Sequence, residues 1–291
     1  MITGILVIIK LIRVRQWIKN LFVFAPLVFS LNLFNGGLWV NALLMFGAFS
    51  LLASAIYVFN DIVDLDKDRL HPAKKKRPLP AGLITVPRAA VVGVFCLAGA
   101  IGLSLWLNQG AIVVLLIYAL LNLFYSLYGK NIILLDTMII AIGFVLRVLA
   151  GSYAISVAPS SWMLVATFFL ALLIGLGKRS NEILVMKEDS SSHRQVLSEY
   201  NEPLLQQLFA VASSSTVVSY ALYTMDPHVV ETFATNNLFF TLPFVVFGVF
   251  RYLYLVLRHN RGGDPTELVL RDTTMIVTLL LWFISVVIII Y

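Results

Sequence analysis

The stretch Asn60–Gly82, NDIVDLDKDRLHPAKKKRPLPAG, follows an apolar run and decides how the chain is read. Asp61, Asp64, Asp66 and Asp68 crowd its start, and Lys67, Arg69, Lys74, Lys75, Lys76 and Arg77 follow. If the apolar run is a helix that continues past Asn60, then Asp61, Asp64 and Asp68 fall at i, i+3 and i+7 and stack on one face. Stacked carboxylates repel, so a cation must hold them. Hard oxygen donors favour magnesium (Mg2+) over zinc. Magnesium commonly takes one or two carboxylates together with substrate phosphate oxygens, which points to a diphosphate ligand whose phosphates the basic run would also meet. A solvated helix end followed by a basic cytoplasmic loop would explain the Lys and Arg residues. It gives aligned carboxylates no task.

Working outward, the 291 residues are 60% hydrophobic and 12% charged, with a mean hydropathy of +0.92. Soluble domains carry roughly 25% charged residues. The apolar runs are each long enough to cross a hydrocarbon core about 30 Å thick as a helix, and the short alternating segments of a β-barrel are missing. The fold class expected is therefore all-α, a multi-pass membrane protein forming one domain over 1–291. An interfacial helix covers about 1–16. Nine spans follow near 17–35, 38–60, 87–107, 110–128, 132–154, 161–178, 204–225, 237–257 and 273–291. Met1–Ile12 lacks the pattern of a cleaved signal, so the first span is expected to direct insertion. Cys96 is the lone cysteine and excludes a disulfide framework within one chain.

Every Lys and Arg except Arg147 and Arg251 falls in the N-terminal segment, in alternate loops or immediately beside them, which places that side in the cytoplasm. All acidic residues but Asp226 and Glu231 join them there. A basic bias alone is a topology signal, whereas the acidic company suggests one site built from several helix ends. The net charge of +6 thus reports membrane orientation, and no nucleic-acid partner is expected.

Other candidates lie on the same side. Tyr125 and Lys130 at the end of the fourth span could both reach a phosphate, although an aromatic belt residue with a snorkelling Lys gives the same spacing. Asp136 begins the fifth span. Arg147 lies inside it and must face the bundle interior, toward a phosphate or a partner on another helix. Gly177-Lys178-Arg179-Ser180-Asn181-Glu182 closes the sixth span, where Lys178 and Glu182 share a helix face. The polar loop Lys187–Asn201 is too long for a tight turn and suits a small helical cap over the site, and Gly262-Gly263-Asp264-Pro265 permits close backbone approach to a ligand. His71, His193, His228 and His259 show no metal-ligand spacing. No HExxH, GxSxG, Walker or GxGxxG motif is present.

The pattern Asn60-Asp61-x-x-Asp64-x-x-x-Asp68 at the end of the second span, followed by Arg77-Pro78-Leu79-x-x-Gly82, resembles the UbiA superfamily of intramembrane prenyltransferases. Within it the chain looks most like the decaprenyl-phosphate 5-phosphoribosyltransferase branch, through Arg15-Gln16-Trp17-Ile18-Lys19-Asn20, Gly177-Lys178-Arg179-x-x-Glu182, Gly262-Gly263-x-Pro265 and Leu270-Arg271-Asp272. Aromatic prenyltransferases carry a second Asp-rich motif after the sixth span. Lys178 and Arg179 stand there instead, which suits direct pairing with additional phosphates.

The resemblance implies nine helices around a central cavity with a cytoplasmic cap, in the inner membrane. It also implies Mg2+-dependent transfer of 5-phosphoribosyl from phosphoribosyl pyrophosphate to a polyprenyl phosphate, for cell-wall arabinan. Asn60, Asp61, Asp64 and Asp68 would hold the metal and leaving diphosphate. Lys74, Arg77, Lys178 and Arg179 would clamp phosphates, with Glu182 as an orienting partner or metal ligand. Tyr125 and Lys130 would contact the leaving group, and Lys19 and Arg147 the lipid phosphate. An aromatic prenyltransferase and a secondary transporter are the alternatives; homo-oligomerisation stays open.

Overall fold

The acidic stretch lies where a long helix, α3 (Gly36–Val63), hands over to a short one, α4 (Leu65–Leu70). The structure, a computed structural model, describes residues 2–70, 74–188, 200–258, 269 and 271–291. All regular elements among them are helical. Before α3 come α1 (Ile2–Leu11), a 3-10 helix (Val14–Phe24) and α2 (Ala25–Phe29). After α4 follow α5 (Val86–Ser104), α6 (Gln109–Leu127), α7 (Leu135–Ala154) and α8 (Ser161–Glu188). Then come α9 (Glu202–Met225), α10 (Pro227–Phe233), α11 (Leu242–Arg258) and α12 (Thr273–Ile290). The chain is a multi-pass membrane protein: eight segments, each near an expected span, are long and apolar enough to cross a bilayer.

The expected first span, 17–35, takes a different form. Val14–Phe24 is wound as a 3-10 helix and Ala25–Phe29 as a short α-helix. At about 2.0 Å per residue for the first and 1.5 Å for the second, the two together reach about 30 Å, the thickness of the hydrocarbon core. The winding has a local reason. Three residues per turn put Trp17, Asn20 and Val23 in one row, whereas an α-helix would swing Val23 well away from Trp17. Trp17 Nε1 donates to Ser54 Oγ at 3.0 Å and Asn20 Nδ2 to Ser50 Oγ at 2.9 Å. Three 3-10 residues and four α residues each rise about 6 Å, so the two rows stay in register. At Val23 the 3-10 backbone comes so close to α7 that a Cβ on Gly151 would overlap the Val23 carbonyl oxygen.

The chain forms two compact units, Met1–Tyr128 with Leu146–Ala158, and Gly129–Val145 with Pro159–Tyr291. Helix α7 gives its first turns to the second unit and its last to the first. In the first unit α3 lies against α5 through Gly47, Gly93 and Gly99, which face Leu103, Val58 and Leu51. Small residues let membrane helices approach closely where burial from water cannot drive them together. The second unit has its own apolar core around Leu173, Leu176, Phe209, Tyr252 and Val256. There Arg251, inside a span, forks onto Asp272 at 3.2 and 2.8 Å, and Asp272 also caps α12 by accepting from Met275 N.

The helix does not run unbroken through the carboxylates: Asp64 (φ −94, ψ 12) ends α3, although the bonds Asp64 N to Asn60 O and Asp68 N to Asp64 O carry helical pairing across the bend. His71, His193, His259, most of the Lys187–Asn201 loop, Gly262-Gly263-Asp264-Pro265 and Leu270 lie outside the described residues.

Candidate active site

The bend at Asp64 sorts the carboxylates. Asp61 and Asp68 turn inward, 1% and 3% exposed. Asp64 is half-buried, and Asp66 faces outward, paired with Arg69 at 3.2 Å. One nitrogen, Arg77 Nη1, donates to Asp61 Oδ1 at 3.1 Å and to Asp68 Oδ2 at 2.6 Å. Lys74 Nζ stands 3.8 Å from Asp68 Oδ1. A further cation that sequence reading left out of the site, Arg13, donates to Asp61 Oδ1 as well. Its guanidinium lies over the Tyr57 ring at 4.8 Å.

Local structure explains each placement. Leu79 is buried with Leu11, Val58 and Ala89, which pins the basic loop down beside α3. The turn closes through Arg77 N to Lys74 O at 2.9 Å and Gly82 N to Leu79 O at 3.0 Å. Gly82 sits at φ 71, a conformation that suits glycine. Burial and the neighbouring Arg13 guanidinium pull the Arg77 pKa below its ordinary value, against the two carboxylates that raise it. Arg13 is aimed by the row of bonds above it. Ser54 Oγ, which accepts from Trp17, donates to the Ile12 carbonyl at 2.9 Å, and Arg13 follows with φ 54 and ψ 50. A left-handed backbone is uncommon for a residue other than glycine and concentrates at functional sites.

At the end of α6, Ser126 Oγ donates to Asn60 Oδ1. This brings the half-buried Tyr125 to the acidic end of α3. Lys19 is also half-buried in the 3-10 helix. Arg147 has a different neighbourhood. It is 5% exposed, donates to Asn20 Oδ1 at 2.8 Å and to Tyr118 Oη at 3.1 Å, and lies against the faces of Phe49 and Tyr118 at 4.9 and 5.1 Å. Phe49 precedes Asp61 by twelve residues on α3, roughly 18 Å at 1.5 Å per residue. Arg147 thus holds the 3-10 helix deep in the unit, far from the acidic end.

The second unit carries its own charged group. Arg179, 1% exposed, pairs with Asp136 Oδ2 through Nε at 2.5 Å and with Glu182 through Nη1. Tyr200 Oη donates to Asp136 Oδ1 at 2.9 Å and accepts from Leu134 N at 2.9 Å. Burial, with the Asp136 carboxylate beside it, pushes the Tyr200 phenol up to about 12. Lys178 is exposed and Lys130 buried.

Among the described residues no group of three or more His, Cys, Asp or Glu side chains is close enough to hold a metal by itself. The donors at hand are the carboxylates of Asp61 and Asp68, with the Asn60 amide oxygen and Asp64 beside them. A magnesium-like ion asks no more of a protein when phosphate oxygens complete its shell. The set fits such an ion with an anionic ligand, and does not form a cage for an ion alone.

The model of the UbiA prenyltransferase family matches residues 21–270. The decaprenyl-phosphate phosphoribosyltransferase of Corynebacterium glutamicum is 32% identical, over 97% of this chain and 86% of that protein. The enzyme of the same name from Mycobacterium tuberculosis is 29% identical, over 96% and 92%. A UbiA homologue from Archaeoglobus fulgidus, solved with GPP and Mg2+, superposes with a TM-score of 0.72 at 20% identity, covering 98% of this chain and 99% of that one.

Proposed function

Because the chain belongs to the UbiA prenyltransferase family, we propose that it transfers the 5-phosphoribosyl group of phosphoribosyl pyrophosphate to a polyprenyl phosphate, with Mg2+ as cofactor. Relatives at 29–32% identity over nearly the whole chain bear the name of that activity. The observation that carries the reading is the convergence of Asp61 and Asp68 on Arg77 Nη1, with Arg13 and Lys74 around them. Buried carboxylates ringed by cations suit a ligand that is itself a metal with phosphates.

In the proposed reaction an oxygen of the lipid phosphate forms a bond to ribose C1 while the bond from C1 to pyrophosphate breaks, the electron pair leaving with pyrophosphate. The nucleophile is already ionised at neutral pH, so no general base is required. A bound divalent ion would offset charge growing on the leaving group. Asp61, Asp68 and Asn60 would hold that ion, with Asp64 beside them. Arg77 would fork onto phosphate oxygens and Lys74 would pair with them as a point charge, fixing the donor's orientation, and Tyr125 would contact the leaving group. Arg147 serves instead to hold the 3-10 helix. The basic bias of alternate loops supports a cytoplasm-facing site in the inner membrane, and the product would feed cell-wall arabinan.

The test uses purified protein and membranes. Phosphoribosyl pyrophosphate with Mg2+ should raise the unfolding temperature of the wild type and fail to do so for Asp61→Asn. Label from it should pass to decaprenyl phosphate. Protection by a prenyl diphosphate alone, without label transfer, would overturn the assignment in favour of an aromatic prenyltransferase.

A further inference from the structure

Arg13 holds the position on Asp61 that the proposed metal needs. It is the pivot between α1 and the 3-10 helix, its backbone is left-handed, and its side chain is 24% exposed while that of Asp61 is 2% exposed. Asp61 Oδ1 takes two guanidiniums at once. If Arg13 departs, Arg77 still neutralises the carboxylate, so release leaves no buried charge alone.

Resting on the proposed function above, we infer that Arg13 stands in for the metal on Asp61 in the metal-free chain and leaves only when a phosphate anion draws its guanidinium away. Metal and phosphate then bind together, and metal alone binds weakly. The charge balance requires this coupling. Asp61 and Asp68 pair with Arg13, Lys74 and Arg77, Asp64 adds a third carboxylate at the bend between the two helices, and the formal charges of the six cancel. A divalent ion by itself would leave two positive charges in excess beside buried groups. A diphosphate arriving with it offsets them, and offers Arg13 the paired oxygens a guanidinium fork prefers. The Tyr57 ring keeps the guanidinium over an electron-rich face as it leaves.

The experiment measures Mn2+ binding by electron paramagnetic resonance on the full chain in detergent, with and without inorganic pyrophosphate. Wild type should bind Mn2+ weakly alone and much more tightly with pyrophosphate. Arg13→Gln should bind Mn2+ alone about tenfold tighter, by loss of a competitor worth one charge-assisted bond, yet bind Mn2+ with pyrophosphate less tightly than wild type. A purely structural role for Arg13 would weaken both, so two affinities moving together, or neither moving, overturn the inference. Arg13→Lys keeps a cation at the site without the fork and should fall between the two; it carries the test if Arg13→Gln does not fold. Wild type that binds neither Mn2+ nor pyrophosphate in any combination overturns the transferase reading as well, whereas binding without the opposed shifts overturns this inference alone.

Discussion

The two charged groups of this protein, one in each unit, use the same side chains in different ways. Around Asp61 and Asp68 the carboxylates are buried while their cations, Arg13, Lys74 and Arg77, keep a quarter to a third of their side-chain surface exposed. Around Asp136 the cation itself is buried, Arg179 being 1% exposed, and Tyr200 closes over the carboxylate. Water can take over a guanidinium from the first group and lower the cost of an exchange of partners. In the second, separating the pair strands a charge in a low-dielectric interior. One arrangement suits ligand exchange, and the other suits holding α7, α8 and the start of α9 in register.

The sharpest way to break that contrast is Arg179→Gln. It strands Asp136 and should cost about 3–5 kcal/mol of stability, read as loss of folded protein or a steep fall in denaturation midpoint in detergent. A midpoint near that of the wild type would make the second group no lock at all. Asp61→Asn should do the reverse: transferase activity falls by about a hundred- to a thousandfold while the unfolding midpoint of the ligand-free protein hardly moves. Equal destabilisation by both substitutions would erase the distinction between the groups.

Gly151→Ala sharpens it from a distance. The added methyl meets the Val23 carbonyl, a backbone atom with nowhere to go, and should cost about 1–3 kcal/mol. Because it displaces the 3-10 helix that aims Arg13, it should also weaken pyrophosphate binding. The smallest effect belongs to Tyr200→Phe. The phenol's folded pKa of about 12 lies above its ordinary 10, so the folded state keeps a proton the unfolded state loses. That contribution to stability is whole below pH 10 and declines as the pH rises toward 12. Wild type should show the decline in thermal unfolding as the pH rises from 10 toward 12, and Tyr200→Phe should show less of it.

Much of this was legible in the chain. The apolar runs marked eight of the nine expected crossings, and the i, i+3, i+7 spacing chose Asp61, Asp64 and Asp68, of which the structure buries the first and last, while leaving aside Asp66, whose side chain faces outward. The remaining expected crossing was legible as an apolar run but not in its winding, and it is not among the eight segments long and apolar enough to span. A 3-10 helix differs from an α-helix only in which distant groups its row of side chains must meet, here Ser54, Ser50 and Gly151. Arg13 escaped for the same reason: forty-eight residues separate it from Asp61, and nothing in its local sequence distinguishes it from Arg15.

Hydropathy and residue spacing by themselves determined that the protein is helical, that it lies in the membrane, and where its carboxylates gather, because the bilayer's thickness and the turn of a helix act on neighbouring residues. Which cation meets which carboxylate was decided only by tertiary structure. Opposite charges far apart in the chain attract without regard to sequence distance, and only the folded backbone selects, among 21 Lys and Arg residues, the few that arrive.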